Sequence, residues 1–366
     1  MDMISQHKYP SEAHTVTTED GYILTLYRIP GAAGSTPVYL QHGLLESSAD
    51  WLIPGKAKSL AFILWDRGYD VWLGNARGNT YSKKHKTLST SDPQFWNFSW
   101  DELGLYDLPA AISYISETTK SSLFYIGHSM AASTFSVMAT ERPDVAAKVK
   151  AMIALAPATY VYHMKAPIRL LASFWREFQQ LSNLLGINEF FARGHFFNGF
   201  AKYICKSVML RNVLCSNSLF LIAGFDPEQL DYSLLPKIWS KFPAGTSIKL
   251  FTHWLQQMTI NKFRKFDYGT QANLKVYNSS EPPEYDISRI QVPIAVFWSD
   301  NDWLVGGKDV ETFYKQVPLK LGMYKIAHDK FNHFDFLWAL DAPDLVYSKI
   351  LDLMSKCNNR IIDELR

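Results

Sequence analysis

Residues 122–136 read SLFYIGHSMAASTFS, and this stretch decides the fold. Leu123 to Ile126 form an apolar run behind Ser121 and Ser122, the pattern of a short buried strand. Ala132 to Thr140 read as helix, so the chain passes from strand to helix within Gly127-His128-Ser129-Met130-Ala131. A strand, a sharp turn and a helix place Ser129 at the tip of the turn, with its hydroxyl above the sheet. The backbone N–H of Met130 then sits at a helix N-terminus, oriented to receive an oxyanion. The general pattern of such a turn is G-x-S-x-G. Here Ala131 stands where the second glycine belongs, so one more methyl must fit between helix and strand.

Working outward, Thr15–Thr18 and Tyr22–Ile29 flank Glu19-Asp20-Gly21 and predict a β-hairpin with an Asp-Gly turn. Val38 to Gly43 predicts a short buried strand ending in a glycine turn, and helical periodicity runs from Ala57 to Asp66. Asp70 to Gly74 is a strand, Trp100 to Thr118 a longer helix, and Val149 to Ala156 a strand after the Ser129 unit. Strands alternating with helices at this spacing mean an α/β fold, a mostly parallel central sheet with helices on both faces. From about Tyr160 to Tyr285 the alternation stops. That segment is helical and irregular, with Phe174, Trp175, Phe196, Phe197, Trp239 and Trp254 among its bulky residues. Val292–Trp298 resumes the strands, followed by a helix near Val310–Gln316, a strand near Met323–Ile326 and a helix from Phe336 to about Met354. The expected division is a core of residues 1–159 and 287–366 with a helical insertion over 160–286 and a hinge at Pro282-Pro283.

Composition narrows the function classes. A net charge of +2 with 20% charged residues gives no basic stripe for nucleic acid. Aromatics make up 14%, which fits either a large apolar cavity or simply a large aromatic core. No apolar stretch reaches the roughly 18 residues of a membrane span. Met1 to Pro10 (MDMISQHKYP) has no apolar signal region, so the chain reads as cytosolic or as a mature form without its leader. Cys205 and Cys215 lie close together and suggest a short-loop disulfide, with Cys357 left over. Asn97-Phe98-Ser99 and Asn278-Ser279-Ser280 are acceptor triplets for N-glycosylation, which with the cysteines favours the secretory pathway. No metal-ligand spacing appears.

A serine hydroxyl needs a base, and the base an orienting acid. Asp302 lies in Ser299-Asp300-Asn301-Asp302-Trp303 after the 292–298 strand, and His333 in Asn332-His333-Phe334-Asp335 before the last helix. Spacing leaves Asp300 and His328 open as competitors. His42-Gly43-Leu44-Leu45, straight after a core strand, offers Leu44 N–H as the second oxyanion donor, with Gly43 allowing close backbone approach. Arg77-Gly78-Asn79 reads as a turn anchored by arginine rather than an anion site. Phe191 to Phe200 (FARGHFFNGF) reads equally as a lid facing lipid or as packed interior.

The chain resembles the acid lipase family of α/β-hydrolases, the gastric and lysosomal lipases and their insect relatives. The resemblance begins with Thr18-Glu19-Asp20-Gly21-Tyr22 and Gln41-His42-Gly43-Leu44-Leu45. It continues through Gly74-Asn75-Ala76-Arg77-Gly78-Asn79 and Gly127-His128-Ser129 to Leu214-Cys215-Ser216-Asn217 and Ala223-Gly224-Phe225-Asp226. Pro243-Ala244-Gly245-Thr246-Ser247, Phe266-Asp267-Tyr268-Gly269 and Asn332-His333-Phe334-Asp335-Phe336 complete it. It implies Ser129 as nucleophile, Asp302 as acid, His333 as base, Leu44 and Met130 as oxyanion donors, and a disulfide between Cys205 and Cys215. It also implies secreted or lysosomal hydrolysis of neutral lipid esters at a lipid–water interface, beneath a helical cap and mobile lid, without a cofactor. The chain departs from the family pattern at Ala131, at Met130 where vertebrate relatives have glutamine, and at Ser299-Asp300 and Gly306-Gly307 beside the acid. The expected activity is lipid ester hydrolysis. The alternative is a lipid-binding protein on the same scaffold, impaired by Ala131.

Overall fold

The computed structural model describes residues 1–191, 205, 207 and 211–359. β1 (Glu12–Thr17) and β2 (Tyr22–Ile29) pair antiparallel with Glu12 opposite Arg28, closing the hairpin around Gly21 at φ +99°. β3 (Pro37–Gln41), β4 (Asp70–Leu73) and the short β5 (Lys84–His85) follow, then β6 (Leu123–His128) and β7 (Val149–Leu155). A two-residue pair, β8 (Glu189–Phe190) with β9 (Thr246–Ser247), stands apart from the main sheet, which β10 (Ile294–Trp298) and β11 (Lys320–Lys325) complete. The strand order is β1-β2-β4-β3-β6-β7-β10-β11, with β5 beside β2. From β4 to β11 every neighbouring pair is parallel.

Successive side chains on a strand point to opposite faces. Accordingly Phe124 and Ile126 of β6 join one apolar core with Val38, Leu40, Val71 and Leu73, whereas Leu123 and Tyr125 join a second with Tyr39 and Trp72. The sheet is therefore covered on both sides, which is why its central strands are unbroken apolar runs.

Local physics shifts three boundaries. The first long helix begins at Leu60 rather than Ala57, because Gly55 takes φ +85° in a turn that delays it. The predicted 100–118 helix is continuous to Thr119 but widens by a π-turn over Leu103–Asp107. Pro109 has no N–H to return to the preceding turn, and a Cβ on Gly104 would lie 2.5 Å from Val137 Cβ. The predicted 336–354 helix is broken: Asp335–Trp338 is one short piece and Ser348–Asn359 another, preceded by a π-turn at Pro343–Tyr347. Between them the N–H groups of Leu340 and Asp341 bond instead to the carbonyl and the side chain of Gln229, at 2.9 and 3.0 Å.

Between β7 and β10 the described chain is mostly helical, including Pro167–Phe174, Trp175–Leu184, Ser216–Ala223, Leu235–Lys241, Ile248–Met258 and Thr270–Tyr277. Cys205 and Cys215, both buried, are joined in a disulfide with Cα atoms 5.9 Å apart. Of the aromatic segment 191–200 only Phe191 lies among the described residues; Phe196 and Phe197 lie outside them. No helix among the described residues is long and apolar enough to cross a membrane.

Candidate active site

Ser129 sits between β6 and the helix Ala131–Glu141 with φ +56°, a left-handed backbone that a serine adopts at a cost of about 1–3 kcal/mol. The surroundings hold it there. Its N–H donates to Leu155 O at 2.9 Å, and its carbonyl accepts from Ala132 and Ala158 at 3.0 and 3.1 Å. Ala131 is fully buried, and its methyl fills room that Gly127 leaves. A Cβ on Gly127 would lie 2.8 Å from the Ala131 Cβ and 2.7 Å from the Tyr125 ring.

Asp302 and His333 converge from two later loops. His333 Nδ1 lies 2.8 Å from Asp302 Oδ2, and both residues are 1% exposed. Asp302 Oδ1 accepts from Leu304 and Val305 N–H, each at 2.8 Å, so the loop fixes which oxygen faces the imidazole. The unusual neighbours leave this reach intact. Asp300 points outward to an ion pair with Lys325, and His328 Nε2 is turned to Asp226 at 2.8 Å. Both competitors are thus engaged with partners other than Ser129.

Gly43 brings the loop after β3 against the serine. A Cβ at Gly43 would lie 2.9 Å from Ser129 Cβ. Leu45 follows at φ +63°, and its carbonyl is held by Ala244 N–H at 2.6 Å. Among the described residues the N–H groups of Leu44 and Met130 find no acceptor, and Ser129 Oγ makes no hydrogen bond. Ser129, Met130, Leu44, Leu45 and His333 line one cavity of about 340 Å³. Its remaining walls are almost wholly apolar, with Trp239, Phe242, Phe251 and Trp254 contributed by the segment between β7 and β10.

Residues 1–55 match the profile of a partial alpha/beta-hydrolase lipase region, and residues 36–214 that of the alpha/beta hydrolase fold. Over 97% of its length the chain is 39% identical to human lysosomal acid lipase/cholesteryl ester hydrolase, covering 90% of that protein. It is equally 39% identical to Drosophila melanogaster Lipase 3, with 96% of this chain and 92% of the relative aligned. Gastric triacylglycerol lipase of Rattus norvegicus is 39% identical, with coverages of 97% and 91%. The chain belongs to the α/β-hydrolase lipase family. The fold is also that of a soluble variant of the Saccharomyces cerevisiae monoglyceride lipase, with a TM-score of 0.57 at 14% identity, covering 95% of each chain.

Within this lipase fold, the stretch Ala223–Asp226 ties the Asp302 loop to the His333 loop. Ala223 O accepts from Trp303 N–H at 3.0 Å and from His333 N–H at 3.4 Å. Gly224 O accepts from Asn332 Nδ2 and Phe225 O from Asn301 Nδ2, both at 3.1 Å. Gly224 has φ +116°, and a Cβ there would lie 2.1 Å from Asn301 O. Gly224→Ala is therefore expected to shift the Asp302 loop and lower kcat about 100-fold, since a displacement near 1 Å costs that much. Steady-state ester hydrolysis checks this; a loss under about threefold would mean the tie is not needed.

Arg77 is a structural anchor, as its motif suggested. Its Nε bonds Asp107 at 2.7 Å, its Nη2 bonds Asp20 at 2.9 Å, and the guanidinium lies 3.8 Å above the Tyr22 ring. Asn97 and Asn278 are both exposed. The sequence reading missed Glu46, a buried carboxylate three residues past Gly43 that bonds its N–H at 2.6 Å. It also passed over His128, inside the serine motif, as a partner of Glu46. A carboxylate three residues after a glycine turn was the one available signal.

Proposed function

We propose that this lipase-family chain hydrolyses neutral lipid esters through an acyl-enzyme. The observation that carries the reading is the buried Asp302–His333 pair at 2.8 Å, whose histidine lines one apolar cavity with the strained Ser129. His333 takes the proton of Ser129 as its oxygen attacks the ester carbonyl, while Asp302 holds the imidazole in the tautomer that leaves Nε2 basic. The N–H groups of Leu44 and Met130 bind the oxyanion that forms. His333 then protonates the departing alcohol, and water repeats the sequence on the acyl-serine. The hydrogen bond from serine to histidine, not made among the described residues, forms as substrate enters.

Residues 160–286 act as a cap on a core of 1–159 and 287–366 and supply most of the acyl wall. Leu170, Phe174, Leu181 and Leu184, between 56% and 83% exposed on two consecutive helices, suit contact with a lipid–water interface. Relatives named as lysosomal and gastric lipases, together with the disulfide, favour a secreted or lysosomal site of action, with glycans at Asn97 and Asn278. The packing of Ala131 beside Gly127 favours a working nucleophile over an impaired binding protein.

The test is hydrolysis of p-nitrophenyl acetate and p-nitrophenyl octanoate. Each buried methylene contributes about 0.8 kcal/mol, so two buried methylenes already favour octanoate in kcat/KM by roughly tenfold. A ratio near one would count against a lipid acyl site. Lack of turnover of either ester by folded protein would count against hydrolysis altogether.

A further inference from the structure

Glu46 and His128 form a buried pair behind the reacting groups, 2% and 0% exposed, and the mechanism above uses neither. Glu46 Oε1 lies 2.8 Å from His128 Nδ1, and Glu46 Oε2 accepts the Gly43 N–H at 2.6 Å. On its other side His128 Nε2 lies 2.9 Å from the backbone carbonyl of His333. A carbonyl oxygen only accepts, so Nε2 carries a hydrogen; facing a carboxylate, Nδ1 carries one too. Burial opposes charge on His128, but the Glu46 carboxylate against it outweighs that cost and raises its pKa. Burial likewise opposes ionisation of Glu46, and attraction to His128 with its hydrogen bonds lowers its pKa in spite of that. The neighbouring Asp50 is pushed up to about 8 by burial and by the charge of Glu46.

We infer that Glu46 and His128 are positioning residues that lock three separate loops of the reaction centre to one another. The inference rests on the ester-hydrolase reading above. One arm of the pair holds the loop carrying the Leu44 N–H, through Gly43. The other holds the loop carrying His333, through its carbonyl. The middle of the pair is the residue directly before Ser129. These segments are far apart in sequence: Glu46 and His128 are 82 residues apart, and His128 and His333 are 205 apart. Little slack is available, because the His128 and His333 rings lie 4.7 Å apart and Gly43 is already against Ser129. Loss of the Glu46 carboxylate frees the Gly43 N–H and leaves His128 without the partner that orients it. The oxyanion donor and the base then drift relative to the serine.

The experiment is turnover of p-nitrophenyl butyrate by wild type, Glu46→Ala and Glu46→Gln, each normalised to sites labelled by a fluorophosphonate. Glu46→Ala is expected to lower kcat per labelled site by about 10- to 100-fold with KM within about twofold. Glu46→Gln is expected to recover most of that loss. Its amide oxygen accepts from Gly43, and its amide N–H donates to Nδ1 of a neutral His128 that still donates from Nε2. A purely structural role would reduce the labelled fraction or the melting temperature while each labelled site kept its full kcat, and that result overturns the inference. So does a glutamine variant no better than alanine. Wild type lacking serine-dependent turnover would instead remove the hydrolase reading. Proton NMR of the His128 ring, which needs no substrate, still decides the inference: two ring N–H signals are expected in wild type and one in Glu46→Gln. Absence in wild type of the Nε2–H signal, the hydrogen that ties His128 to the His333 carbonyl, overturns it.

Discussion

Ser129→Ala is expected to remove ester turnover, lowering kcat by about 10⁴- to 10⁶-fold, with the fold left intact. Both halves follow from the geometry. The hydroxyl makes no hydrogen bond among the described residues, so its removal leaves no buried partner unpaired. The features that hold the turn belong to the backbone, namely the bonds from Leu155, Ala132 and Ala158, and alanine retains all three. The melting temperature should stay within about 3 °C of wild type, as expected for a change below about 1 kcal/mol in a protein this large. Turnover of the octanoate ester together with a circular-dichroism melt checks both. Activity above about a hundredth of wild type would mean that another residue is the nucleophile.

The second large effect is Asp302→Asn, expected to cost about 10⁴-fold in kcat with little change in KM. The loop around residue 302 makes this sharper than a simple loss of charge. Leu304 and Val305 N–H both donate to Oδ1, which must therefore remain an oxygen in the asparagine. The amide nitrogen is left facing His333 Nδ1. Its N–H donates there and drives the imidazole hydrogen to Nε2, the atom that must accept the serine proton. The variant should fold, since the same hydrogen bonds are made with one direction reversed. Steady-state kinetics beside a thermal melt is the measurement, and a loss smaller than about 100-fold would remove Asp302 from its role.

Much of the fold was legible because it is written locally. The β6 run, the Ser129 turn and the following helix depend on neighbours within a few residues, and all three lie where the sequence put them. The sequence reading put Asp302 and His333 on two loops that the structure brings together at 2.8 Å, yet spacing could not choose between them and Asp300 or His328. That choice depends on where side chains point after the loops fold: Asp300 reaches Lys325 and His328 reaches Asp226. Glu46 escaped notice because its meaning lies in contacts across 82 residues. The break at Ala339 was hidden for a similar reason, since Gln229, far upstream, takes the backbone bonds that would have continued the helix. The aromatic run Phe191–Phe200 gave no periodicity to read, and beyond Phe191 it lies outside the described residues.

The tie from Ala223 to both Trp303 and His333 bears on how the protein comes to be active. A chain whose residues 216–226 have not yet docked lacks the bonds that Ala223 gives to both the Asp302 and His333 loops, even with the central sheet already formed. On the proposed ester-hydrolase reading, docking of residues 216–226 and arming of Ser129 are then coupled, and a chain without that docking would be chemically silent towards the esters around it.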